Sequence, residues 1–93
     1  MIPLKTLHIL NKPPEHHRYA LCLSAIGPDD RLLLIENGVL GITQAQEIAS
    51  ERLFALGPDV EARGIASRID PAQIVSFDGM VELTASAENV ISW

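Results

Sequence analysis

Ninety-three residues, 47% hydrophobic and 20% charged, are enough for one folded domain and exclude an intrinsically disordered chain. Twelve acidic against seven basic side chains give a formal charge of −5, and Lys5, Lys12, Arg18, Arg31, Arg52, Arg63 and Arg68 are scattered, which excludes a general affinity for nucleic-acid phosphates. A single cysteine excludes an internal disulfide and any multi-cysteine zinc site.

In chain order, "TLHIL" (6–10) is a short β-compatible apolar run broken by "NKPP". Residues 14–26 read as a helix, with Pro14 in its first turn and Tyr19, Cys22, Leu23 and Ile26 on one face. "GPDD" ends it. "RLLLIE" (31–36) is apolar without alternation, as expected of a strand covered on both sides. After "NG" at 37–38, Val39, Ile42, Ala45 and Ala49 lie near helical spacing, so "VLGITQAQEIA" is predicted to be a helix. "RLFAL" (52–56) is the next strand, Pro58 starts a short helix that Gly64 ends, and "QIVSF" (73–77) is a fourth strand. "MVELTASA" (80–87) is a short helix and "VISW" (90–93) a last strand. Strands alternating with helices over short connectors predict one α/β domain over residues 1–93, a mainly parallel sheet of four or five strands flanked by helices. "MIPLKTLHIL" has a proline at position 3 and no signal-peptide pattern, and no run is long enough to cross a bilayer, so a cytoplasmic chain is expected.

Few residues carry candidate chemistry. His16 and His17 are adjacent, so on a helix they point about a hundred degrees apart and make a poor pair of metal ligands. His8, alone on an apolar strand, reads as a hydrogen-bonded, half-buried residue rather than a catalyst. "ENG" (36–38) lies at the C-terminal end of a strand, where parallel sheets gather ligands, yet no glycine-rich phosphate fingerprint occurs; Glu36 and Asn37 are expected to cap a helix or to meet a partner subunit. No cofactor is expected. Cys22 leaves two readings open. On the apolar stripe it is a buried residue; with Arg18 one turn earlier it is a candidate catalytic thiolate, although the C-terminal end of a helix disfavours an anion.

Five segments in order, "LHILNKPP", "LLLIENGV", "FALGPDVEARG", "VSFDGMVELT" and the final "SW" with Trp93, resemble the DsrH/TusB family, small subunits of the DsrEFH and TusBCD sulfur-relay complexes. Asn37 stands where the family more usually has Asp, and Met80 where it tends to have an aromatic. The resemblance implies a DsrE/F-like fold and a heterohexamer with DsrE/TusD-like and DsrF/TusC-like subunits. It also implies persulfide sulfur received through the complex from a TusA-like carrier, for tRNA wobble 2-thiouridine synthesis or dissimilatory sulfur oxidation. In such complexes the main persulfide cysteine belongs to the DsrE/TusD subunit. Cys22 matches a cysteine that DsrH-type members place near the end of their first helix, which makes it a candidate sulfur carrier. Direct contact with nucleic acid or membrane is not expected of this chain. The rival reading is a stand-alone homo-oligomer of the same fold without a sulfur-transfer role.

Overall fold

The computed structural model describes residues 4–45 and 47–93, so readings that touch Met1–Pro3 or Gln46 lie outside the described residues. Five strands, β1 (Thr6–Leu10), β2 (Arg31–Leu34), β3 (Leu53–Leu56), β4 (Ile74–Val75) and β5 (Asn89–Ser92), form one sheet in the order β4-β3-β2-β1-β5. Every pairing is parallel. Three α-helices connect them: α1 (His17–Ala25), α2 (Gly57–Ala62) and α3 (Phe77–Ser86). The predicted α/β class and parallel sheet are therefore correct.

Because side chains alternate along a strand, the sheet makes two cores. Leu10, Leu32, Leu34, Leu53 and Ala55 face a larger core with Tyr19 and Cys22 of α1, Val39, Ile42, Ala45 and Ile48 of the β2–β3 connection, and Val60 of α2. Leu7, Ile9 and Leu33 face a smaller core with Leu83, Met80 and Ala87. The connections as far as β4 step outward in one direction, which places them all on one face. The α3 connection jumps back from β4 to the far side of β1 and so covers the other face. The unalternating "LLL" of β2 follows from this, since Leu32 and Leu34 enter one core and Leu33 the other.

Several boundaries differ from the sequence expectation, among them β2, which ends at Leu34 rather than at residue 36. The first helix starts at His17, not at residue 14, because the His16 N–H closes a turn on the Pro13 carbonyl (3.0 Å) and the His16 ring then caps the helix. The predicted helix over 39–49 is instead a 3₁₀ segment, Glu36–Gly41, followed by turns. Val39, Ile42, Ala45 and Ile48 are the buried apolar side chains beyond the glycines, a repeat of three that matches 3₁₀ rather than α periodicity. β4 is only two residues long, because the Ser76 hydroxyl accepts from the Gly79 N–H (3.1 Å) and starts α3 at Phe77, ahead of the expected residue 80. β5 runs from Asn89 to Ser92, and the Trp93 N–H extends its pairing by donating to the Ile9 carbonyl (2.8 Å). The strand predicted over 52–56 forms at Leu53–Leu56, one residue shorter, the helix opened by Pro58 is present, and Gly64 adopts the left-handed conformation (φ +65°) that ends α2.

The turn after β2 is anchored hard. The Ile35 N–H donates to the Leu10 carbonyl (3.0 Å), and a methyl group on Gly38 would run into that same oxygen. Gly38→Ala therefore has to displace backbone rather than a flexible side chain. We expect a loss of about 3 kcal/mol, the upper range for overpacking, read as a lower midpoint in urea denaturation.

Candidate functional site

Cys22 lies on the inner face of α1, in the larger core, with 0% of its surface exposed. Burial alone pushes its thiol up to about 12. At neutral pH the group is therefore held as the thiol, and thiolate fraction governs sulfur nucleophilicity. Arg18, offered by the sequence as an activating charge, is exposed on the same helix. Beside Cys22, the Tyr19 hydroxyl donates to the Gly41 carbonyl (2.9 Å) and ties α1 to the 3₁₀ segment. Burial first, then the negative charge of Glu47 and the neighbouring Cys22, push this phenol up to about 12.

The polar centre of the sheet lies elsewhere. His8 on β1 is 2% exposed and its ring joins two residues distant in sequence. The Trp93 indole Nε1–H donates to His8 Nδ1 (3.1 Å), and His8 Nε2 meets Asp30 Oδ2 at 3.0 Å. An indole N–H can only donate, so Nδ1 carries no proton, and His8 is the neutral tautomer donating from Nε2 to Asp30. The two rings stack, with centroids 6.1 Å apart. Asp30 also accepts from the Thr6 N–H (3.2 Å) and the Gly27 N–H (2.9 Å). Burial raises the Asp30 carboxyl, but the hydrogen bonds from Gly27, His8 and Thr6 outweigh it and hold the group below its usual range, with a further pull from His8 whenever that ring is protonated. Arg52 closes the cluster by donating to the carbonyls of Asp30 (2.9 Å) and Gly27 (2.6 Å).

At the C-terminal edge of the sheet, Glu36 takes a left-handed conformation (φ +49°). This costs about 1–2 kcal/mol for a residue with a side chain. Its N–H donates to Asp59 Oδ2 (2.7 Å), and a hydrogen bond to a carboxylate is large enough, at about 1.5–3 kcal/mol, to offset that strain. Arg63 donates Nε (3.2 Å) and Nη2 (2.9 Å) to Asn37 Oδ1, so Asn37 acts as a docking point for α2 rather than as a helix cap. A shallow depression of about 290 Å³ lies nearby, lined by Gly57, Pro58, Glu61, Ile74, Val75 and Ser76. His16 Nδ1 accepts from the Arg18 N–H (3.1 Å). Desolvation, then His17, Lys12 and Arg18, hold this ring below its ordinary value, which suits an acceptor. Among the described residues no three metal-ligating side chains converge, and no helix is long and apolar enough to cross a membrane.

The model of the family described as DsrH like protein matches residues 12–90 of this sequence. The chain belongs to the DsrH/TusB family. Among its relatives, Protein TusB of Klebsiella pneumoniae (strain 342) is 34% identical and Protein TusB of Enterobacter sp. (strain 638) 31% identical. Protein TusB of Pectobacterium parmentieri is 27% identical. Each of these alignments covers 94% of this chain and 99% of the relative. Family membership thus stands on nearly the full length and not on one motif.

Sequence reading placed Cys22 correctly on the apolar face of α1 and His8 correctly as a hydrogen-bonded residue, but His8 is fully buried rather than half-buried, because β2 and β5 flank β1 on both sides. That reading missed Asp30, treated as part of a helix-ending "GPDD", and the union of His8 with Trp93. An acidic doublet directly before a buried strand was a usable signal for Asp30. No spacing signal joins residues 8 and 93 until β1 and β5 are known to pair.

The folded carboxyl of Asp30 sits below its unfolded value, so its stabilisation is present above the ordinary range near 3.8 and is lost as pH falls through the lower folded value. Asp30→Asn places an amide N–H₂ against donors. We expect a loss of about 2 kcal/mol at neutral pH that shrinks in acid, measured by urea denaturation of both proteins across that range.

Proposed function

We propose that this chain is a mainly structural subunit of a sulfur-relay complex, packed against DsrE/TusD-like and DsrF/TusC-like subunits in a heterohexamer. Persulfide sulfur from a TusA-like carrier passes through that complex on a partner's cysteine, toward tRNA wobble thiolation or sulfur oxidation. Family membership over nearly the whole chain supports the assignment to a relay complex. The observation that carries the structural role is the burial of Cys22. A relay cysteine must attack the terminal sulfur of a donor persulfide as a thiolate, release the donor thiolate and become a persulfide itself. A fully buried thiol with a pKa near 12 is badly placed for that attack.

The outer surface supports the same reading. Phe77 and Val81, one turn apart on α3, are 61% and 63% exposed, and Leu21, Leu40, Val90 and Ile91 are exposed as well. A domain of this size leaves apolar area that subunit association can bury.

The test is coexpression with the two partner subunits from the same host, followed by native mass spectrometry and a sulfur-transfer assay. A hexamer-sized assembly is expected, with wild-type sulfur flux when Cys22→Ser replaces the native chain. An intact assembly whose flux collapses with Cys22→Ser would make Cys22 a relay station. A homo-oligomer that takes up neither partner would overturn the complex and favour the stand-alone reading.

A further inference from the structure

The hydrogen bond between Trp93 and His8 exists only while His8 Nδ1 has a free lone pair. We propose that it is a proton-sensitive latch, in which a proton gained at Nδ1 releases the Trp93 side chain and loosens β5 from the sheet. The proton comes from solvent and adds to the lone pair that the indole N–H now occupies. The resulting imidazolium presents two N–H groups, one still toward Asp30 and one directly opposed to the indole N–H. Two donors cannot share that contact, so the indole moves away.

The groups around His8 favour this outcome over simple unfolding. From the residue just before β2, the Asp30 carboxylate sits 3.0 Å from Nε2 and pairs with the imidazolium. Its charge persists because its own titration lies in a more acidic range. Arg52, from the turn before β3, is engaged on the carbonyls of Asp30 and Gly27. Tyr19 and Cys22, on the inner face of α1, both stay neutral with values pushed up to about 12. Lys12, just beyond β1, donates Nζ to the Trp93 carbonyl (2.8 Å), and the Trp93 N–H holds the Ile9 carbonyl. Neither of these two main-chain contacts depends on the imidazole, so they keep the end of β5 on the sheet and opening starts from the Trp93 side chain, loosening β5 only by the loss of that one tie.

The consequence is local and specific. β5 is an edge strand that pairs with β1 alone, and its four residues are all exposed. The junction of β1 and β5 is where the strand order reverses, and the crevice at the C-terminal end of such a junction is where open parallel sheets receive ligands. In the latched form the Trp93 indole lies against this junction, half-buried on the larger core. The open form carries one more proton at His8, so falling pH shifts the population toward it. This inference does not depend on the sulfur-relay assignment.

Trp93 is the only tryptophan, so emission from the full chain reports the latch. Between about pH 8 and about pH 5, where imidazoles gain a proton, the emission is expected to shift to longer wavelength and acrylamide quenching to increase, with an unchanged far-ultraviolet circular dichroism spectrum. His8→Gln, whose amide can accept from the indole and donate to Asp30 without titrating, is expected to show neither change. A wild-type emission that stays constant over this range would overturn the proposal. So would an equal shift in His8→Gln, or a shift seen only together with loss of the circular dichroism signal. If His8→Gln does not fold, nuclear magnetic resonance of the wild-type chain with fluorine-labelled Trp93 decides. The label and the His8 ring protons must then titrate with one midpoint, and separate midpoints refute the coupling.

Discussion

A parallel sheet has to be buried on both faces, and a chain of this length has few elements with which to do it. That constraint shapes most of what the molecule shows. α1, the 3₁₀ segment and α2 all lie over one face and make a complete core there. The other face has α3 alone, and α3 carries apolar side chains both inward, at Met80 and Leu83, and outward, at Phe77 and Val81. A helix whose apolar residues extend from its inner face onto an adjoining exposed flank is suited to pack against a second surface. The same constraint decides the fate of the single cysteine, since α1 connects β1 to β2 and its inward residues Tyr19 and Cys22 are both buried in the larger core.

The cost of closing the sheet with β5 is met by polar chemistry rather than by more apolar area. β5 contributes four exposed residues, and what fixes its end is the chain of bonds from Trp93 through His8 to Asp30, Thr6 and Gly27. Buried polar groups destabilise unless they are partnered. Here, among the described residues, no buried side-chain nitrogen or oxygen lacks a partner. A network of this kind also selects register, because moving β5 by one residue would send Trp93 to the face opposite His8.

How much of this could be read from the sequence follows from the range of the forces involved. Apolar runs and local turn chemistry act over a few residues, so the strand at 53–56, the Pro58 helix and the stripe of Tyr19 and Cys22 were legible. The segment after Gly38 reads as an α-helix in sequence because Val39, Ile42 and Ala45 suit either period, and only burial of Ile48 rather than Ala49 separates 3.0 from 3.6. What decides between them is the approach of Gly38 to the Leu10 backbone and of Gly41 to the Tyr19 ring, contacts with residues far back in the chain. Asn37 illustrates the same limit: its role is set by Arg63, which only the packed α2 brings within reach. The candidate thiol was legible as a position but not as an environment. Its helix face was visible in the spacing, while the depth of its burial depends on Val39, Ile42 and Ala45 closing over it from the next connection.

Within the DsrH/TusB family this chain is best described by what it buries and what it leaves uncovered, and its sulfur is on the buried side. The most direct measurement is the reaction of Cys22 with a maleimide in the native full chain at neutral pH, against the same chain in denaturant. The account predicts a thiol protected for as long as the fold persists and modified promptly once it is unfolded. Rapid, stoichiometric labelling of the native protein would contradict it, and would return Cys22 to the reaction path.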